Sequence, residues 1–110
     1  MIKNKTKNTI ISKDFKLLKG YLNKSKGLIS SNSPKTVIFT TRLGIHTFGM
    51  KYPIDIVVTD KESRVVSLKK NLLPNRIFLW NPKYNLIIEL EIGSIAKSKT
   101  AIGDFLEISL

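Results

Sequence analysis

The chain has 110 residues, of which 42% are hydrophobic, and it carries a formal net charge of +11 at pH 7. This length predicts a single domain over residues 1–110 with one modest core. The sequence contains no cysteine, which excludes disulfides, thiolate nucleophiles and zinc sites of the cysteine type. No apolar run approaches the roughly 20 residues of a membrane span, and no signal-peptide pattern follows the basic N-terminus. We therefore expect a cytoplasmic protein that makes no membrane contact.

The first part of the chain predicts a tail, a strand and a helix. Residues 1–8 are polar and are expected to form a frayed tail. Residues 9–11 are apolar and β-branched enough for a short strand. Apolar residues at helical spacing then predict the main helix at residues 13–24, with Ser12 or Asp14 as its cap.

From residue 36 onward the pattern is mainly that of short strands bounded by turn residues. Strands are predicted at residues 36–41, 54–59, 64–69, 76–80, 86–92 and 105–109. A polar turn between the second and third of these predicts a hairpin, and Gly93 begins a turn or one-turn helix through Lys97. The predicted fold class is α+β: mainly antiparallel β, barrel-like or sandwich-like, with one main N-terminal helix and a short second helix or turn.

The segment from His46 to Asp55 is the strongest candidate site. It holds the only histidine of the chain, and it ends on a carboxylate just inside an apolar strand. Histidine often serves as a base or metal ligand near neutral pH, and a half-buried carboxylate is costly unless it has a role. The structural alternatives are that His46 binds backbone in a turn and that Asp55 holds the 49–52 loop through backbone N–H groups. Met50 lines either a pocket or the core.

A second carboxylate, Glu89, lies on a strongly apolar strand and therefore needs a partner. Arg42, Arg64 and Arg76 are the only arginines in a lysine-rich chain, which indicates that the planar guanidinium is required there. An ion pair between Glu89 and an arginine is the obvious possibility. The candidate ligand-binding residues are thus His46, Met50, Asp55, Glu89, Arg42 and Arg76.

The ten residues His46-Thr-Phe-Gly-Met-Lys-Tyr-Pro-Ile-Asp55 resemble one branch of the uncharacterised domain-of-unknown-function family 192. Further segments with the same resemblance are Gly27-Leu28-Ile29, Leu72-Leu73-Pro74-Asn75-Arg76, Ile88-Glu89-Leu90-Glu91-Ile92-Gly93 and Ala101-Ile102-Gly103-Asp104. The resemblance implies a β-rich fold with a helix near its start and a site at the histidine segment, but no particular reaction. Family members usually flank the Gly-Leu segment with arginines. Here Ser25-Lys26 and Ser30-Ser31 stand there, which implies a weaker hold on any anion, or its loss.

These patterns favour a small ligand-binding module with a site at residues 44–55 over an enzyme, with no cofactor and no metal. Two alternatives stay open. One is a metal-assisted, hydrolase-like enzyme that uses His46 with Asp55 or Glu89. The other is a polyanion-binding protein, since residues 1–35 carry nine lysines against one aspartate. Any nucleic-acid binding is expected to be weak and non-specific, and the sequence leaves the ligand and the oligomeric state open.

Overall fold

The structure, a computed structural model, describes residues 1–18 and 36–109. The strands in these ranges are β1 (Ile2–Asn4), β2 (Thr9–Ser12), β3 (Lys16–Leu17), β4 (Val37–Thr40), β5 (Ile45–His46), β6 (Ile54–Thr59), β7 (Val65–Leu72), β8 (Ile77–Phe78), β9 (Leu86–Glu91) and β10 (Leu106–Ile108). One short helix, α1 (Ser94–Ser98), follows β9. No helix in these ranges is long and apolar enough to cross a bilayer.

A five-stranded sheet in the order β3-β4-β9-β6-β7 forms the centre of the molecule. Its pairs are antiparallel except for β3 with β4, which is parallel. A second sheet has the order β10-β1-β2, and β5 pairs with β8 in a two-stranded ribbon. In the described ranges the central sheet ends at β3 and β7 rather than closing. The predicted mainly antiparallel architecture is therefore confirmed, but the barrel is not seen.

Each face of the central sheet carries its own core, because side chains alternate along a strand. The first core contains Ile54, Ile56 and Val58 of β6 and is covered by the 45–52 segment with the β5–β8 ribbon. The second core contains Val57 of β6 with Ile88 and Leu90 of β9, and it also includes Ile2, Ile95 and Leu106 from the smaller sheet and α1. Burial on both faces explains why β6 and β9 are apolar along nearly their whole length.

The predicted main helix at residues 13–24 is not seen. Its described part forms β3, where the Lys16 N–H donates to the Thr36 carbonyl at 3.0 Å and the Leu18 N–H donates to Ile38 at 3.0 Å. Phe15 packs against the second core and Leu18 against the first. The apolar residues thus serve two opposite faces of a sheet instead of one helical stripe. Residues 19–24 lie outside the described residues, as does the Gly27-Leu28-Ile29 segment.

The expectation of a frayed tail at residues 1–8 is wrong. β1 is the middle strand of the smaller sheet and pairs with both β10 and β2. Ile2 and Asn4 are fully buried at 0% exposure. Residues 5–8 are exposed and form the turn after β1, whereas the polar side chain of Asn4 makes specific buried hydrogen bonds. The short second helix predicted from Gly93 onward is confirmed as α1.

Candidate functional site

An open cleft lies at one end of the central sheet, where the inner strands β4 and β6 end and β9 begins. β4 and β6 both run antiparallel to β9, so their last residues, Thr40 and Thr59, flank Leu86 at the start of β9. The loops at this end of the strands enclose a cleft of about 670 Å³. Its lining consists of Arg42, Thr59, Asp60, Lys61, Glu62, Lys83, Tyr84, Asn85 and Leu86. We call it the Arg42 cleft.

Two loops hold the walls of the Arg42 cleft in place. In the β6–β7 loop, Asp60 Oδ1 accepts the backbone N–H groups of Glu62 at 3.0 Å and Arg64 at 2.9 Å. On the opposite wall, the Trp80 indole N–H donates to the Tyr84 carbonyl at 2.7 Å. The Asp60 carboxylate therefore already has a turn-stabilising role.

The side chains that line the Arg42 cleft carry a small excess of positive charge, because three basic residues stand with the carboxylates of Asp60 and Glu62. Arg42, Lys61 and Lys83 provide three cations, and the Lys83 Nζ atom lies 5.8 Å from the centre of the Tyr84 ring. Thr59 is 1% exposed, and its hydroxyl oxygen is buried without a hydrogen-bond partner among the described residues. A buried hydroxyl without a partner is costly to stability.

His46 lies on the β5–β8 ribbon, away from the Arg42 cleft lining. Its ring stacks on Phe48 with the ring centres 5.0 Å apart, and its Nδ1 accepts the Phe48 backbone N–H at 3.3 Å. His46 is half-buried and pairs with Ile77 across the ribbon. The sequence analysis gave two alternatives for His46, and a hydrogen bond to backbone in a turn was the structural one. The hydrogen bond from the Phe48 N–H is a contact of that kind.

Asp55 is buried and holds two other elements together. Its Oδ1 accepts the Asn71 N–H at 2.9 Å, and its Oδ2 accepts the Ile95 N–H at 3.0 Å. It therefore joins the end of β7 to the first turn of α1. Its expected role as an acceptor of backbone N–H groups is found, but its partners belong to these elements rather than to the 49–52 loop.

The structure does not bring Asp55 and Glu89 to one site. Asp55 pairs with Leu90 and Glu89 pairs with Ile56, and residues opposite each other in a ladder share a face. Asp55 thus faces the second core, whereas Glu89 faces the first core and is fully buried. The β5–β8 ribbon that carries His46 covers the first core, so the sheet lies between that ribbon and the Asp55 carboxylate.

The remaining predicted residues divide among three places. Met50 is buried in the first core, which is its packing alternative. Arg76 is exposed beside β8, and its N–H donates to the Thr47 hydroxyl at 3.0 Å. Arg42 lines the cleft. Of the six predicted ligand-binding residues, only Arg42 belongs to it, and the described residues hold no cluster of three or more potential metal ligands.

Sequence reasoning missed Thr59, Lys83 and Tyr84 as cleft residues. Thr59 ends β6, whereas Lys83 and Tyr84 lie in the loop before β9, and none of them belongs to a local motif. The one sequence signal for this end of the sheet was the presence of an arginine in a lysine-rich chain, since Arg42 lies two residues after the end of β4.

A buried polar cluster joins the two ends of the described chain. Asp104 Oδ2 accepts from the Asn4 side chain at 2.9 Å, from Lys7 Nζ at 2.8 Å and from the Ala101 N–H at 3.0 Å. Burial raises the pKa of the Asp104 carboxyl, but these hydrogen bonds and the Lys7 charge outweigh it and hold the pKa below its ordinary value. We interpret this cluster as structural, because the Asn4 and Lys7 contacts tie β1 and the turn after it to the segment before β10.

Taken together, the described parts of the chain form a small β-rich domain with one short helix and a charged cleft at the end of the strands β4, β9 and β6. The chain belongs to the domain-of-unknown-function family 192, described as "Uncharacterized ACR", which it matches over residues 6–108. The resemblance noted from the sequence motifs is thereby confirmed. No curated protein matches the chain.

Two crystal structures share this fold. A protein of unknown function from Novosphingobium aromaticivorans DSM 12444 matches with a TM-score of 0.71 and 18% identity, over 86% of this chain and 74% of that one. A protein from Sinorhizobium meliloti 1021, described as a "putative transcription regulator", matches with a TM-score of 0.66 and 15% identity, over 84% of this chain and 79% of that one. At these identities the likeness shows the fold alone.

Proposed function

We propose that this chain is a binding module for a small organic anion and that the ligand occupies the Arg42 cleft. The observation that carries the proposal is the cleft itself, whose volume of about 670 Å³ is typical of sites for small molecules. The proposal keeps the ligand-binding function expected from the sequence. It moves the site from residues 44–55 to the end of the strands β4, β9 and β6, because His46 and Asp55 do not lie together at one site.

The ligand class follows from the side chains. Arg42 offers a planar guanidinium that suits a carboxylate or phosphate, and Lys61 and Lys83 add point charges. Asp60 and Glu62 also line the cleft, so its net positive charge is small. A ligand with a low negative charge is therefore sufficient. Tyr84 provides an aromatic ring on which a planar group can pack. A compact anion that also carries a ring therefore fits best.

Isothermal titration calorimetry with three probes tests the proposal. Adenosine monophosphate carries both an anionic group and a ring, inorganic phosphate carries only the anion, and adenosine carries only the ring. We expect adenosine monophosphate to bind most tightly. Lys83→Gln should weaken it about fivefold, as expected for the loss of a charged hydrogen-bond donor.

The matched control is Lys5→Gln, which removes the same charge from an exposed turn between β1 and β2. Lys5→Gln should leave the affinity unchanged. Equal binding of adenosine and adenosine monophosphate, or an equal effect of the two lysine substitutions, would contradict the proposal.

A further inference from the structure

The outer face of the β5–β8 ribbon exposes an unusual set of large apolar side chains. Ile45 and Phe78 pair across the ribbon and point into the first core, so their neighbours point outward. Leu43 is 91% exposed, Leu79 67% and Ile77 62%. Phe48 is half-exposed where it stacks on His46. We call these four apolar residues the ribbon surface.

These residues form one patch rather than scattered exposures. Ile77 lies opposite His46 in the ribbon, and His46 contacts Phe48. Leu79 approaches Gly44 so closely that a Cβ atom there would clash with its side chain, and Leu43 is the next residue. Contiguous exposed apolar patches mark interaction sites, whereas single exposed residues need no explanation.

The two segments of the chain that carry the ribbon surface are basic in sequence. Residues 36–54 contain Arg42 and Lys51 and no acidic residue, although the chain has eight acidic residues in all. Residues 66–88 contain Lys69, Lys70, Arg76 and Lys83, again with no acidic residue. Arg42 and Arg76 directly precede Leu43 and Ile77, so two exposed arginines border the patch along the chain.

We infer that the ribbon surface docks on an anionic lipid bilayer. Protruding leucines enter the acyl boundary, while lysine and arginine side chains stay at the level of the headgroups and contact their negative charges. The combination of an apolar patch and a basic rim provides the two signals that stable peripheral binding requires. Leu43 favours lipid over a folded partner, because a side chain this exposed projects from the surface and needs no preformed pocket. The inference goes beyond the proposed function, and it replaces our expectation of no membrane contact.

Vesicle co-sedimentation of the full chain tests this inference. Vesicles of phosphatidylcholine with about 30% phosphatidylglycerol should bind the protein, and pure phosphatidylcholine vesicles should bind it far less. Leu43→Ser should lower the partition coefficient about tenfold, since it removes an apolar side chain that enters the bilayer. The matched control is Ile102→Ser, because Ile102 is 65% exposed in a turn outside the ribbon, and it should bind like the wild type.

Three results would overturn the inference. Binding that Leu43→Ser leaves unchanged would assign it to the general charge of the chain. Equal losses in Leu43→Ser and Ile102→Ser would remove the ribbon surface from the account. Tighter, Leu43-dependent binding to poly-glutamate than to the anionic vesicles would assign the surface to an acidic polypeptide. Phe48→Ser, with thermal melting of every variant, provides a second readout if Leu43→Ser fails to fold.

Discussion

Gly44 is the residue that allows the loop before β5 to pass close to β8. Its φ angle is +89°, and an added Cβ would meet the Leu79 side chain and lie 3.1 Å from the Phe78 carbonyl oxygen. Gly49 has a similar φ of +81°, but nothing lies within 4 Å of the corresponding position. A side chain at Gly49 would therefore add only the cost of a positive φ angle, whereas a side chain at Gly44 would add that cost and the cost of steric contact with β8 and Leu79.

We expect Gly44→Ala to lower the free energy of unfolding by about 2–3 kcal/mol, and Gly49→Ala by only about 1–2 kcal/mol. The excess at Gly44 comes from contact with backbone and side chain across the ribbon. Urea unfolding of both variants measures the difference. Equal losses would mean that β8 moves away at no cost.

Thr59 illustrates the opposite situation, in which the native side chain is not optimal for stability. Its hydroxyl is buried without a hydrogen-bond partner in the part of the chain that the structure describes. Thr59→Val replaces that hydroxyl by a methyl group, so we expect stability to stay equal or to rise by about 1 kcal/mol. A clear loss of stability would mean that the hydroxyl has a structural partner.

At the level of secondary structure elements, Asp55 fixes how α1 and β7 meet the central sheet. Both of its carboxylate oxygens accept backbone N–H groups from other elements. The carboxylate therefore connects the two elements, and its removal leaves one buried donor, the Ile95 N–H, and one part-buried donor, the Asn71 N–H, without an acceptor.

We expect Asp55→Ala to cost at least about 2 kcal/mol, because each buried donor that loses its acceptor is expensive. Asp14→Ala is the control. Asp14 is exposed, and within the described ranges its carboxylate accepts the N–H of the next residue, so the loss there should be well below 1 kcal/mol. Thermal melting measures both. An Asp55→Ala protein that melts like the wild type would contradict the structural role.

The Asp104 cluster gives the contact between β1 and the segment before β10 a dependence on pH. Because the pKa of Asp104 is lower in the folded protein than in the unfolded chain, its stabilising contribution is complete above the unfolded pKa of about 4. That contribution is lost as the pH falls through the folded pKa. Urea unfolding between neutral pH and about pH 3 should therefore show a smaller acid-induced loss in Asp104→Asn than in the wild type. Parallel curves for the two proteins would rule this out.

The elements differ in how well the sequence predicts them. β6 was predicted at its observed residues because it is β-branched and bounded by Pro53 and a polar turn. The helix over residues 13–24 failed in its described part, since Phe15 and Leu18 fit a helical stripe equally well as opposite faces of a strand. Local spacing cannot distinguish these cases when the partner strand is distant in sequence.

For the molecule as a whole, the candidate site could not be predicted because it depends on long-range strand order. The Arg42 cleft is formed by the loops after β4, after β6 and before β9. These loops meet at one end of the sheet because of the strand order β4-β9-β6. The His46–Asp55 segment was predicted as the site because it holds the only histidine of the chain and ends on a carboxylate inside an apolar strand. The alternation of β6 then directs Asp55 away from the face that the His46 ribbon covers.

The net charge of +11 makes a prediction for the whole molecule. Binding to duplex DNA should be independent of sequence and should fall steeply between about 50 and 200 mM salt, because lysine contacts to phosphate act through counterion release. Fluorescence anisotropy with two unrelated duplexes measures this. Tight, sequence-selective binding at physiological salt would instead support the nucleic-acid alternative.

The position of a bound anion tests the central claim most directly. In amide chemical-shift mapping with adenosine monophosphate, we predict that the largest changes fall at residues 60–62 and 83–86, with adenosine producing much smaller ones at the same positions. Changes concentrated at residues 44–52 would return the site to the segment predicted from the sequence. Changes spread evenly over exposed lysines would contradict a specific anion site altogether.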